Sequence, residues 1–161
     1  MSAITADILA ALDALQIRYV SALDRRDFDA WLACFDSEGS YICTPRENEE
    51  QGLPLALMMD DCYARLKDRV SYITQVWAGT FEDYWTRHLV QRLECTPNGP
   101  NRYTMLTNFG VLYTSALGRS EVLVAGYYQD DVIIGPDGAR FRSKKAVLDT
   151  SITPRYLVYP V

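Results

Sequence analysis

His88 is the single histidine of this 161-residue chain. It lies in Tyr84-Trp85-Thr86-Arg87-His88-Leu89-Val90. An imidazole titrates near neutrality, so a lone histidine can serve as a general base. A small lyase or isomerase would pair it with Asp24 or Tyr19, provided that the fold brings them together. The plainer reading is a histidine hydrogen-bonded in the core or at an interface. The count also excludes chemistry. A mononuclear non-haem iron takes two histidines and a carboxylate, and a Rieske cluster takes two histidines and two cysteines. One histidine supplies neither, so neither metal centre is expected in this chain.

The other reactive side chains have plain readings beside the sharp ones. Asp130 and Asp131 are adjacent in an apolar, strand-like run, so their carboxylates point to opposite faces and cannot work as a pair. One of them is expected to be buried against an arginine such as Arg140 or Arg142. Tyr127 and Tyr128 read as sheet-packing residues. Cys34 follows an apolar helix face without a visible activator, which argues against a nucleophile. Cys34, Cys43, Cys62 and Cys95 form no C-x-x-C pair, so reduced, mostly buried thiols are expected. Arg46-Glu47-Asn48-Glu49-Glu50 reads as a solvated loop, or as an ordered loop facing a partner. Tyr156-Leu157-Val158-Tyr159-Pro160-Val161 is almost wholly apolar. It is expected to dock on its own sheet or on another subunit, which favours an oligomer.

The elements that must position these groups change character along the chain. Ile4, Ile8, Leu12, Leu15, Tyr19 and Ala22 recur at helical spacing and predict an amphipathic helix, capped by Ser2 or Thr5. After the polar corner Arg25-Arg26-Asp27, Asp27 is expected to cap a short helix with Phe28, Trp31, Leu32 and Phe35 on its apolar face. Ser37-Glu38-Gly39 would end that helix, and Ser40 would start a strand. Pro54 suits the first turn of a third helix, with Leu55, Met58, Cys62 and Leu66 as its buried stripe. Val70, Ile73, Val76 and Trp77 form a further apolar set. From Arg87 the period falls to two. Tyr103, Met105, Thr107, Phe109, Val111 and Tyr113 would share one face of a long strand. Glu121 to Ile134 and Ala139 to Asp149 follow as strands, joined by a hairpin turn at Pro136-Asp137-Gly138.

Helices followed by a twisted, mostly antiparallel sheet predict an α+β fold of one domain, residues 1–161. Four long strands on one long helix suggest a strongly curved sheet around a cone-shaped core. Sheets of this kind commonly enclose a pocket. The chain is 48% apolar and carries a formal charge of −5. An acidic chain without a basic run is a poor match for nucleic acid or an anionic membrane. No apolar run approaches the roughly 20 residues of a membrane span. A signal-peptide pattern is not seen, so a cytoplasmic location is expected.

These motifs together resemble the small (β) subunits of Rieske non-haem iron ring-hydroxylating oxygenases. The segments that carry the resemblance are Tyr19-Val20-Ser21-Ala22-Leu23-Asp24, Phe28-Asp29-Ala30-Trp31-Leu32-Ala33-Cys34-Phe35 and Tyr41 to Asn48. Leu66-Lys67-Asp68-Arg69, Arg87-His88-Leu89-Val90 and Thr107-Asn108-Phe109 follow. Gly126-Tyr127-Tyr128-Gln129-Asp130, Lys145 to Thr150 and the apolar tail complete the order. Pro45-Arg46-Glu47-Asn48, Gly52-Leu53-Pro54-Leu55 and Tyr159-Pro160-Val161 look most like the small subunits of salicylate 5-hydroxylase and terephthalate dioxygenase. The resemblance implies a cystatin-like (nuclear-transport-factor-2-like) cone and a structural, non-catalytic role. It places the Rieske cluster, the mononuclear iron and the substrate pocket in a partner α subunit, and it implies a β trimer within a hexamer of three α and three β subunits. It transfers no catalytic residue. The alternative that rests on the residues alone is a free-standing cone-fold lyase or isomerase using His88 with Asp24 or a tyrosine.

Overall fold

The computed structural model describes residues 4–161. Helix α1 spans Ala6–Arg25, and Thr5 caps it by accepting a hydrogen bond from the Ile8 amide at 3.3 Å. The alternative cap, Ser2, lies outside the described residues. Leu12, Leu15, Tyr19 and Ala22 are fully buried along the expected stripe, and Ile4 and Ile8 pack at its edge. Arg26 ends the helix in a left-handed conformation at φ 57°. Asp27 then caps α2, Phe28–Leu32, by accepting from the Ala30 amide at 3.0 Å.

Strand β1 spans Phe35–Pro45 and starts five residues before the expected Ser40. Ser37-Glu38-Gly39 is therefore not a helix stop. It lies where the pairing with the last strand, β6 (Gly138–Leu148), slips between Phe35 and Ser40, an irregularity that bends a strand without ending it. Gly39 is needed there, because an added Cβ would lie 2.7 Å from that of Phe35.

The middle of the chain departs most from expectation. The polar segment after Pro45 contains a five-residue helix, α3, Arg46–Glu50. Pro54 starts no helix, and residues 53–57 run as an irregular arm along β1. Thr44 and Asn48 side chains both donate to the Leu55 carbonyl, and the Leu57 amide donates to Cys43. Strand β2, Met58–Asp60, pairs antiparallel with β1. Helix α4 spans only Tyr63–Ser71, followed by one π-helical turn at Tyr72–Val76. Of the expected stripe, Met58 and Leu66 are buried, whereas Leu55 and Cys62 are exposed. The side chains that hold the arm to β1 bond to the very carbonyl that a helix from Pro54 would need.

Four long strands form a meander: β3 Tyr84–Pro97, β4 Arg102–Ser115, β5 Ser120–Gly135 and β6 Gly138–Leu148. The sheet order is β2-β1-β6-β5-β4-β3, with β1 and β6 parallel and every other pair antiparallel. The period-two reading of β4 holds: Tyr103, Met105, Thr107, Phe109, Val111 and Tyr113 are all buried. Each hairpin pair of the meander carries one register shift, at Arg92/Glu94, Val111/Leu112 and Asp131/Val132. Such shifts increase twist, and the sheet curls round α1 without closing. Gly126 permits close approach of β5 and β6, since a Cβ there would lie 2.0 Å from the Val147 carbonyl oxygen.

Candidate functional site: buried polar groups inside the curved sheet

The end of α1 meets the start of β3 through Asp24. One carboxylate oxygen lies 2.6 Å from His88 Nδ1 and accepts from the Thr86 hydroxyl at 3.0 Å. The other accepts from the His88 backbone amide at 3.0 Å. Burial alone would raise the Asp24 pKa, but the His88 ring, the amide and the Thr86 hydroxyl outweigh it and hold the carboxyl below its ordinary range. His88 and Asp24, the two halves of the lyase reading, therefore do meet. Tyr19 does not join them, because its hydroxyl donates to the Val161 carbonyl at 2.8 Å. The His88 side chain is fully buried, and its Nε2 has no partner among the described residues. In this arrangement Asp24 holds the His88 ring and ties the end of α1 to the start of β3.

Asp130 and Asp131 face opposite sides as expected, but the buried partner is a lysine. Lys144 Nζ lies 3.0 and 3.1 Å from the two Asp130 oxygens, and both side chains are fully buried. Lys144 also donates to Gln16 Oε1 at 3.1 Å and lies 3.6 Å from the centre of the Tyr128 ring. Desolvation pushes Asp130 up to about 6, against the pull of Lys144. It pushes Lys144 down to about 8, against the pull of Asp130. Arg142, one of the two expected partners, instead bonds Asp36 at 3.0 Å and pairs with Glu38, and Arg140 is exposed on the other face. Asp131 pairs with Arg102.

Sequence reasoning missed Lys144 because two parities compete on β6. Counting from Ala139 and Phe141 points Lys144 outward, whereas counting back from Leu148 and Ala146 points it inward. The extra residue Arg142, between Phe141 (opposite Val132) and Ser143 (opposite Asp131), reconciles the two counts. Gln16 was equally hidden, as one polar side chain inside an apolar helical stripe.

The remaining candidates are held by contacts within the chain. The Cys34 thiol donates to the Ala30 carbonyl, and burial pushes its pKa up. Cys43 is buried and pushed up to about 12. Neither is poised as a nucleophile. The Arg46–Glu50 segment is tied to its own chain: Arg46 pairs with Asp149, Glu49 with Lys145, and Glu47 accepts from Ser151. Of the two docking options for the tail, its own core is used. Val158, Tyr159 and Val161 are buried. The Tyr159 ring stacks on Phe28, and the Val161 backbone bonds the Tyr41 hydroxyl. Tyr156 alone among the aromatic tail residues is exposed. The inward docking removes the tail as an argument for an oligomer.

The donor set does not fit a Rieske cluster or a mononuclear iron. The single histidine has its Nδ1 on Asp24, and among the described residues no three His, Cys, Asp or Glu side chains converge as metal ligands. No helix of the described residues is long and apolar enough to cross a membrane.

A long helix cradled in a curved, open six-stranded mixed sheet, with helices packed on it, defines the cystatin-like α+β class. A Nostoc punctiforme protein with a cystatin-like fold superposes at a TM-score of 0.66, with 16% identity over 94% of this chain and 98% of its own. The family described as ring hydroxylating beta subunit matches residues 18–155. The anthranilate 1,2-dioxygenase small subunit of Burkholderia cepacia is 31% identical over 91% of this chain and 90% of its own length. The terephthalate 1,2-dioxygenase terminal oxygenase component subunit beta 2 of Comamonas sp. is 24% identical over 92% and 95%. The beta subunit of a putative aromatic-ring-hydroxylating dioxygenase from Novosphingobium aromaticivorans superposes at a TM-score of 0.82, with 26% identity over 92% and 93%. The chain belongs to the ring-hydroxylating beta subunit family. It is the small subunit of an aromatic-ring-hydroxylating dioxygenase, an oxidoreductase component whose family role is non-catalytic, and a large subunit is its partner.

Proposed function

We propose that this chain is a single structural domain that supports a Rieske oxygenase acting on a small aromatic carboxylate, with no catalytic residue of its own. The observation that carries the reading is the match to the family over residues 18–155 together with the names of two relatives, whose substrates, anthranilate and terephthalate, are aromatic carboxylates. The Rieske cluster and the mononuclear iron belong to the large subunit, and three large and three small subunits assemble in the cytoplasm. Exposed apolar side chains support a partnered state. Trp85, Leu89, Leu112 and Val122 share the outer face of β3, β4 and β5, and contiguous apolar patches mark association surfaces.

Co-expression tests the reading. The chain alone is expected to be colourless, iron-free and inactive. Co-expressed with the large subunit encoded beside it, it is expected in a brown complex with Rieske absorption. The competing lyase reading has the Asp24–His88 contact in its favour. Turnover of a small carbonyl substrate by the isolated chain, abolished by His88→Ala, would overturn the structural role.

A further inference from the structure

The sheet ends at β2 on one side and at β3 on the other. Strand β2 is only three residues long, whereas β3 runs for 14. Trp85, Leu89 and Leu93 are exposed along β3. A long edge strand with exposed apolar side chains is a template for pairing with another chain, and proteins hold such edges off with charges, bulges or prolines. In an antiparallel pair, alternate residues turn their N–H and C=O away from the neighbouring strand. On β3 those groups face the edge, and at Tyr84 and His88 they are bonded to side chains.

The Tyr84 amide donates to Asp83 at 2.9 Å, and the Tyr84 carbonyl accepts from Arg26 Nη2 at 2.9 Å. Further along the strand, the His88 amide donates to Asp24 at 3.0 Å. Each bond stands where a ladder bond to a further strand would stand. These side chains are themselves fixed. Arg26 stacks on the Trp85 ring at 4.0 Å and pairs with Asp83. The other Asp24 oxygen is held by the His88 ring and the Thr86 hydroxyl, and the Asp24 side chain is only 10% exposed. The second half of β3 carries different devices. The register shift at Arg92/Glu94 twists the strand, and Pro97 brings no N–H. The middle of the edge therefore depends on one carboxylate, that of Asp24.

We propose that Asp24, Arg26 and Asp83 form a side-chain cap on the edge of β3 that keeps a second copy of this chain from adding a strand there. The cap occupies the backbone groups that an added strand would need. With β2 too short to pair at length, the β3 of another copy is the strand that it turns away. The cap gives the Asp24–His88 contact a role that involves neither a substrate nor the large subunit, so the reading above stands or falls separately.

Asp24→Ala in the full chain, followed by light scattering and thioflavin T fluorescence, tests the proposal. The mass is expected to shift from a constant wild-type value to values that climb with concentration, with a rise in fluorescence. Lost stability alone also drives aggregation, so the comparison is Phe141→Leu, a core truncation on β6. At the urea concentrations that leave both variants equally folded, Phe141→Leu is expected to keep the wild-type mass. A lysine on the exposed face of the same strand, in Asp24→Ala/Gln91→Lys, is expected to restore the wild-type mass without replacing the lost bonds. Asp24→Asn keeps one acceptor oxygen and takes the place of the alanine variant if circular dichroism shows that one unfolded, with a smaller shift expected. Three results overturn the proposal: a constant wild-type mass in the Asp24 variant, equal growth in Phe141→Leu, or growth that Gln91→Lys does not suppress.

Discussion

Lys144 and Asp130 stand directly opposite each other on neighbouring strands, wholly out of water. Both titrate towards their neutral forms, Asp130 up to about 6 and Lys144 down to about 8. Desolvation therefore exceeds their mutual attraction, as is common for buried ion pairs. Replacing both in Asp130→Leu/Lys144→Met is expected to be neutral or to stabilise by about 1–4 kcal/mol in urea unfolding, whereas Lys144→Met alone is expected to cost about 3–5 kcal/mol. The pH dependence follows from the same shifts. A raised Asp130 pKa gives stability that is complete below its unfolded value of 3.8 and lost as pH rises through about 6. A lowered Lys144 pKa gives stability that is complete above 10.5 and lost as pH falls through about 8. The wild type should thus trail the double variant most between pH 6 and 8. A flat difference across pH would contradict this account. The inward parity of Asp130 was legible from the alternation of β5, but its partner was not, because one extra residue on β6 shifts every side chain beyond it.

At the scale of elements, the tail acts as a wedge in the core. Tyr159 stacks on Phe28 at 5.6 Å and packs on Tyr84 at 5.2 Å, and its hydroxyl donates to Asp83. Val161 is held by Tyr19 and Tyr41. Removing residues 156–161 takes away three buried side chains worth about 1.5–3 kcal/mol each. The truncated chain is expected to unfold at markedly lower urea, with a loss of more than about 4 kcal/mol, before any effect on assembly can be seen. An unchanged midpoint by circular dichroism would show that the tail is dispensable to the monomer. Long, periodic elements such as α1 and β4 could be read from sequence, because burial of one face sets their pattern. The arm at residues 53–57 could not. Its side chains are apolar at helical spacing, yet Thr44 and Asn48 capture the Leu55 carbonyl from a distance in sequence.

For the whole molecule, the pairing of β1 with β6 sets the first strand beside the last, and it is parallel, unlike every other pair in the sheet. It brings the helical half against the meander and leaves the outer face of β3 to β5 open. A subunit built this way is expected to self-associate. Light scattering on the isolated chain should give about three times its 18.3 kDa mass, and the co-expressed complex should contain equal numbers of large and small subunits. A mass of one chain over the micromolar range would rule out the trimer as an independent base.

The sequence by itself determined the class of fold, the family and the inability of one histidine to hold either iron centre, because these follow from periodicity, ordered motifs and counts. Only the tertiary structure decided that Asp24 meets His88, that Asp130 is matched by Lys144, and that the tail turns inward. Each of those contacts joins residues far apart in the chain, and their meeting depends on how bulges and strand crossings place side chains, which local pattern does not encode.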